Sequence, residues 1–224
     1  MEIPIVRNTL EKSHLLGREN RETFDRSRVF AVNLMSSPGS GKTALLMKTI
    51  PILQMLGINC AVIQGDIASS LDREKLRQLN IPIAQVNTES CGGACYIAPQ
   101  LVKVALEQLD LSTIQILFIE NSGNTVSPAE LYLGEDCKIV VLSITEGEDK
   151  PLKYPMMFRQ SQICIISKMD LLPYLDFDLS ILESNIRTIN SQLEIIFSSA
   201  RTGEGIATLV DWLTRRIAVA SGCK

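Results

Sequence analysis

Ser36-Ser37-Pro38-Gly39-Ser40-Gly41-Lys42-Thr43 is the stretch from which the rest of the chain is read. It follows the apolar run 29–35 and opens the helix-like Ala44-Leu45-Leu46-Met47-Lys48. A glycine-rich turn between a strand and a helix start is the setting in which a Walker A match means phosphate binding. Its glycines let the backbone curl so that successive N–H groups converge on an anion, and the helix N-terminus adds partial positive charge. Lys42 is placed to reach the β- and γ-phosphates, and the Thr43 hydroxyl to sit on Mg2+. Ser37, Pro38, Gly39, Ser40, Gly41 and Ala44 supply the surrounding cradle. Ser36 stands where the pattern G-x-x-x-x-G-K-[ST] begins with glycine, a position a small residue can fill. The stretch predicts binding of a nucleoside triphosphate.

Outward from this loop, apolar runs of strand length recur at 59–64, 81–86, 115–120, 138–144, 161–166 and 193–197. Helical patterns lie between most of them, at 43–56, 71–79, 97–109, 178–192 and 204–219. Continuous apolar strands alternating with helices predict an α/β fold: one mostly parallel sheet with helices on both faces. Ligands in such folds collect where the strands end. Pro51 should kink or end the first of these helices near Ile50. Residues 5–27 are polar, with Leu10, Leu15, Leu16 and Phe24 spaced for an amphipathic helix that packs on the body. The organisation expected is a lead-in over 1–27 and a single nucleotide-binding domain over 28–224, with Trp212 in its core.

The chain has 224 residues, 46% of them apolar and 21% charged, enough to build a sizeable core. Its formal net charge of -3 supplies no basic field for nucleic acid or an anionic membrane surface. Met1-Glu2-Ile3-Pro4 does not open like a signal peptide and no apolar run approaches a membrane span, so a cytoplasmic location is expected. Of the 6 cysteines, Cys60, Cys137 and Cys164 lie in strand-like runs and read as small core hydrophobes. Cys91 and Cys95, separated by Gly92-Gly93-Ala94, read differently. His14 is the single histidine and reads as a surface residue.

The strand exits carry the remaining signals. Gly65-Asp66 ends the second run, where a carboxylate beside the phosphate loop can hold Mg2+ or one of its waters, or can cap the following helix. The fourth run ends Glu120-Asn121-Ser122-Gly123, similar to the acidic-x-x-Gly switch of GTPases, with Glu120 for the magnesium shell. Ser167-Lys168-Met169-Asp170 resembles the Asn-Lys-x-Asp signature that reads guanine. Asp170 would take two donors from the guanine edge while the Lys168 stem covers the ring, and adenine would leave the carboxylate unpaired. Ser167 in place of asparagine removes a supporting determinant. Ser198-Ser199-Ala200-Arg201 is similar to the loop that GTPases place against the base.

Together these stretches resemble the hydrogenase nickel-incorporation GTPases, the HypB accessory proteins, over roughly residues 10–215. The resemblance is carried by 33–43, Gly65-Asp66 and Ile119–Asn124, and by Thr145-Glu146-Gly147-Glu148-Asp149-Lys150-Pro151-Leu152-Lys153-Tyr154-Pro155. Lys168–Tyr174 with Asp176-Phe177-Asp178, and Ser199–Gly205, complete it. It implies a SIMIBI-type P-loop GTPase that couples slow GTP hydrolysis and nucleotide-dependent homodimerisation to nickel delivery. The recipient would be the large subunit of a [NiFe]-hydrogenase, with a partner nickel metallochaperone. In that scheme Lys42 and Asp66 are catalytic, Thr43, Asp66 and Glu120 serve magnesium, and Lys168, Asp170, Ser199, Ala200 and Arg201 surround the base.

The family's transition-metal site is altered. Where members carry a Cys-His pair, this chain has Cys95-Tyr96 with Cys91 upstream, and Ser127 replaces a further cysteine. The N-terminal cysteine cluster and histidine-rich stretch of some members do not occur in the sequence. Either Cys91 and Cys95 form a substitute pair, completing four sulfurs for Zn2+ or Ni2+ across a dimer, or the switch has lost metal transfer. A urease-type nickel accessory GTPase and a nucleotide-regulated scaffold with negligible turnover remain as alternatives.

Overall fold

A run such as Ile163-Cys164-Ile165-Ile166 has no polar face to turn to water, so the strand it forms must be covered on both sides. The computed structural model, which describes residues 5–66, 70–87, 96–121, 123 and 127–220, shows this arrangement. The strands are β1 (Phe30–Ser36), β2 (Cys60–Asp66), β3 (Ile83–Asn87), β4 (Ile116–Glu120), β5 (Cys137–Ser143), β6 (Ile163–Ser167) and β7 (Glu194–Phe197). They form a 7-stranded sheet in the order β3-β2-β4-β1-β5-β6-β7. Every pairing is parallel. Consequently all strands end at the same edge, and β1 ends there between β4 and β5, the place where an open sheet forms its ligand crevice.

The connecting helices are α1 (Ile5–Ser27), α2 (Lys42–Met55), α3 (Ser70–Arg77), α4 (Pro99–Leu106), α5 (Ser127–Glu130), α6 (Lys150–Lys153), α7 (Pro155–Gln160), α8 (Leu179–Ile189) and α9 (Ile206–Ala220). Alternate strand residues sort onto the two faces. Val32, Leu34, Val62, Phe118, Val141 and Ile165 meet Leu46, Ile50, Leu53, Trp212 and Leu213 of α2 and α9. On the opposite face, Ile63, Leu117 and Ile119 pack with Phe24, Val102 and Ala105 of α1 and α4. Met35, Leu142 and Ile166 pack with Phe158 of α7 and Leu182 and Ile186 of α8. Trp212 is core, with the Arg216 guanidinium 4.0 Å from its ring centroid.

Two sequence expectations are corrected. α2 does not end near Ile50 but runs through Pro51 to Met55. Proline removes only one backbone donor, whereas Ile50 and Leu53 are completely buried, and that packing holds the last turn in place. α1 forms, but Leu15 lies on its solvent side, 57% exposed. Phe24 is buried as expected and Leu16 half-buried, and the helix docks through Phe24 together with the buried Gly17 and Asn20. A Cβ at Gly17 would overlap the Tyr132 carbonyl, so only glycine permits this approach. Asn20 Nδ2 donates to the Pro99 and Leu133 carbonyls at 2.9 and 3.1 Å. His14 is exposed on the same helix.

Cys60, Cys137 and Cys164 are buried in strands, as expected. Burial pushes each thiol upward, Cys60 to about 12, so none of them is a reactive or metal-binding thiolate near neutrality. Cys91 and Cys95 lie outside the described residues. Among the described residues, no helix is long and apolar enough to cross a membrane.

Candidate nucleotide site

β1 delivers the chain to the sheet edge at Ser36, and α2 leaves at Lys42. Between them Gly39 and Gly41 take φ of 72° and 100°. A Cβ at either would meet open space, so it is the left-handed backbone rather than crowding that requires glycine. Gly41 is the residue that caps α2, leaving the helix's first N–H groups turned toward the loop.

Ser36 does more than fill a glycine position. Its Oγ donates to the Ser37 carbonyl at 2.7 Å and accepts from Lys42 Nζ at 2.5 Å. The lysine is thereby folded back along the loop and almost fully buried, poised over the space where phosphate charge would sit. A glycine at 36 could not provide that acceptor.

The phosphate end gathers three elements. Thr43 Oγ1 donates to Glu120 Oε1 at 2.5 Å, bringing the first residues of α2 onto the end of β4. Gln64 Nε2, from β2, donates to Glu120 Oε2 at 3.3 Å. Gly123 lies against the loop so closely that a Cβ would come within 2.6 Å of Pro38 Cα and N. Asp66 closes β2 opposite Asn87 of β3; its side chain is outside the described residues. A cavity of about 750 Å³ opens here, lined by Pro38, Lys42, Thr43, Gln64, Glu120 and Gly123 among others.

The base end is assembled by two loops. Ser167 is tied to the phosphate loop, its Oγ donating to the Ser40 carbonyl at 2.6 Å. The Ser167 hydroxyl thus ties the end of β6 to the phosphate loop. Lys168 adopts φ 62°, and a 3-10 turn over Met169–Tyr174 then presents Asp170. Asp170 Oδ1 accepts from Ser199 Oγ at 2.6 Å, while Arg201 stands 3.8 Å from Oδ2. The Arg201 side chain is mostly exposed, so this ion pair adds little and can open for a ligand. Ser199 Oγ in turn accepts from the N–H groups of Arg201 and Thr202, both at 3.2 Å. A second cavity, about 220 Å³, lies between Ser40, Ala44, Ser167, Lys168, Asp170 and Ala200. Gly41, Ala44, Ala200 and Arg201 line both cavities, so the two spaces adjoin along one loop.

Lys42, Thr43 and Glu120 thus meet at one end, and Lys168, Asp170, Ser199, Ala200 and Arg201 at the other. Among the described residues, no group of three or more His, Cys, Asp or Glu side chains could hold a metal. Two participants escaped the sequence reading. Gln64 meets Glu120 only through strand register. Asn121 Nδ2 donates to Asn33 Oδ1 at 3.1 Å while its Oδ1 accepts from the Ile97 N–H at 2.9 Å, fastening the switch strand to β1 and to the start of α4. The available signal was an amide in an otherwise apolar strand: Asn33 in β1 and Gln64 in β2.

Residues 30–197 match the family described as CobW/HypB/UreG, nucleotide-binding domain. Over 212 residues the chain is 44% identical to the hydrogenase maturation factor HypB of Escherichia coli K12, covering 94% of this chain and 72% of that one. Two solved structures are similar across nearly the whole fold, each with TM-score 0.85 and 30% identity. One is the hydrogenase maturation factor HypB of Archaeoglobus fulgidus, covering 93% of this chain and 100% of that one. The other is HypB of Helicobacter pylori in complex with nickel, covering 92% and 95%.

Proposed function

Since the chain belongs to the HypB hydrogenase maturation factors of the CobW/HypB/UreG family, we propose that it spends GTP to place nickel in a [NiFe]-hydrogenase. The observation that carries the reading is the single loop, residues 36–43, that joins a base pocket organised by Asp170 to a phosphate pocket organised by Lys42, Thr43 and Glu120.

Guanine presents two adjacent donors, and the Asp170 carboxylate, held in place by Ser199, offers two acceptor oxygens to them. Adenine offers the wrong edge and leaves a desolvated carboxylate unpaired. Lys42 and the inward N–H groups of the loop stabilise the charge that builds on the transferred phosphoryl group. Thr43 Oγ1 and Glu120 Oε1 already lie together, and hard oxygen donors so arranged fit Mg2+. With nucleotide bound, Thr43, Glu120 and Asp66 would hold that ion, whose charge would offset that of the phosphates. Thr43 Oγ1 would offer a lone pair to the ion while its O–H goes on donating to Glu120. Asp66, at the end of β2, is the acid we assign to the magnesium shell and to water placement. Gly123, pressed against Pro38, is the sensor through which an added γ-phosphate moves the end of β4.

Nickel is cargo in this account. Cys91 and Cys95 are the thiolates we assign to Ni2+ or Zn2+, two per subunit, with a second pair supplied across a nucleotide-dependent homodimer. The hydrogenase large subunit receives the metal, and a partner metallochaperone takes part in the transfer. The lead-in 1–27 and the GTPase body 28–224 act as one unit in this scheme.

The test is replacement of a host's own hydrogenase maturation GTPase by this chain, reading nickel content and activity of the hydrogenase. Wild type should restore both, while Lys42→Ala and the double variant Cys91→Ser/Cys95→Ser should restore neither. Restoration by the double-cysteine variant would leave a GTPase switch without metal transfer, and failure of wild type would reject the hydrogenase role.

A further inference from the structure

We propose that Gln64 is a positioning residue of the magnesium assembly, its amide nitrogen fixing Glu120 and its amide oxygen holding a water of the magnesium shell. This rests on the reading of the cavity as a GTP and Mg2+ site.

Three observations converge on this side chain. Gln64 lies directly opposite Glu120 in the register of β2 against β4, so the two side chains leave the sheet together. It is 3% exposed, within a strand whose other side chains from Cys60 to Ile63 are apolar and buried. And its Oε1 has no hydrogen-bond partner among the described residues, although the atom is sealed from solvent and the residue lines the phosphate cavity.

The amide's orientation follows from its neighbour. A carboxylate only accepts, so Nε2 must face Glu120, as its 3.3 Å contact shows, and Oε1 must face away. A buried acceptor without a donor is costly, which implies that a donor arrives in the working state. Little at this end of the cavity can be that donor. Phosphate oxygens accept, Glu120 accepts, Thr43 Oγ1 is committed to Glu120, Lys42 is committed to Ser36 and the phosphates, and Lys48 and Lys75 stand at the exposed rim of the cavity. What nucleotide brings with its cation is water: Mg2+ keeps several of its waters, and their polarised O–H bonds are strong donors. Gln64 therefore acts through two others. It keeps the Glu120 carboxylate aimed at the ion, and it fixes the orientation of one bound water.

The experiment follows retention of a fluorescent GDP analogue by the full-length chain as free Mg2+ is buffered over a wide range. Wild type should hold the nucleotide in a Mg2+-dependent way. In Gln64→Leu, which keeps the bulk and removes both polar atoms, half-saturating Mg2+ should rise about 10-fold. Nucleotide affinity in excess chelator should change far less, since the Gln64 amide donates to Glu120. Gln64→Asn keeps both polar atoms but withdraws them by one carbon, so its half-saturating Mg2+ should also rise. A purely structural glutamine would not move the Mg2+ midpoint.

Identical Mg2+ midpoints in wild type and Gln64→Leu would overturn the proposal. So would an equal loss of affinity in chelator, which would mark a packing residue. If Gln64→Leu fails to fold, an unchanged Mg2+ midpoint in Gln64→Asn overturns it alone. Wild-type retention indifferent to Mg2+ would instead reject the magnesium reading on which the proposal rests.

Discussion

Replacing Asp170 with asparagine should transfer the site from guanine to xanthine. The carboxylate sits at the mouth of the smaller cavity, its side chain 15% exposed, and Ser199 already holds one of its oxygens. A base bound there exchanges water for two charge-assisted hydrogen bonds, each worth about 1.5–3 kcal/mol in a desolvated setting. Asparagine keeps one acceptor and presents an N–H2 to the guanine amino group, so one bond is lost and a donor–donor clash replaces it. Because the pocket is partly open, the lost bond is worth about 1.5 kcal/mol and the clashing donors add about 1.2 kcal/mol, so GDP affinity should fall about 100-fold, or about 2.7 kcal/mol. Xanthine carries a carbonyl where guanine carries the amino group, so the new amide donor should recover most of that loss for XDP. Competition of GDP, XDP and ADP against a fluorescent nucleotide measures all three affinities. Thermal stability should change little, since Ser199 can donate equally to an amide oxygen. GDP affinity within 3-fold of wild type, or XDP no better than ADP, would refute the assignment of Asp170 as the base reader.

Other substitutions probe the frame around the site. Ser167→Ala removes the bond to the Ser40 carbonyl and should weaken GDP binding by about 1 kcal/mol, roughly 5-fold, measurable by calorimetry. Gly123→Ala forces Pro38 aside and, if Gly123 senses the γ-phosphate as proposed, should lower GTP affinity more than GDP affinity. Stability should fall in alkali through the buried thiols. Burial raises the Cys60 pKa from 9.0 to about 12, so the folded state keeps a proton that the unfolded chain releases. Its contribution is therefore complete below pH 9.0 and is lost as pH rises toward 12. Each such thiol costs about 1.4 kcal/mol per pH unit there, and urea midpoints in reductant should decline less steeply for Cys60→Ala.

The parts of this architecture that are contiguous in the chain could be read in advance. Residues 36–43 form one turn, and each other signal stands at the end of a single apolar run, because a parallel sheet delivers every strand exit to one edge. Strand limits differ from expectation by one or two residues, as at β3 and β6, where flanking proline and serine blur the apolar boundary. The short helices α5, α6 and α7 span too few residues for a helical period to register. What sequence could not reveal depends on register and close approach. Gln64 meets Glu120 across two strands, Asn20 reaches carbonyls far along the chain, and Gly17 matters only because Tyr132 lies above it. Apolar spacing found the contact face of α1 through Phe24 but not its detail, since Leu15 is left in solvent while a glycine and an asparagine complete the approach.

The most direct test of a guanine-specific P-loop hydrolase is phosphate release from GTP and from ATP by the purified chain with Mg2+, alongside Lys42→Ala. The account predicts slow release from GTP, background release from ATP, and loss of GTP turnover in the lysine variant, whose loop can no longer stabilise the transferred charge. Equal turnover of the two nucleotides, or GTP turnover that survives removal of Lys42, would contradict it.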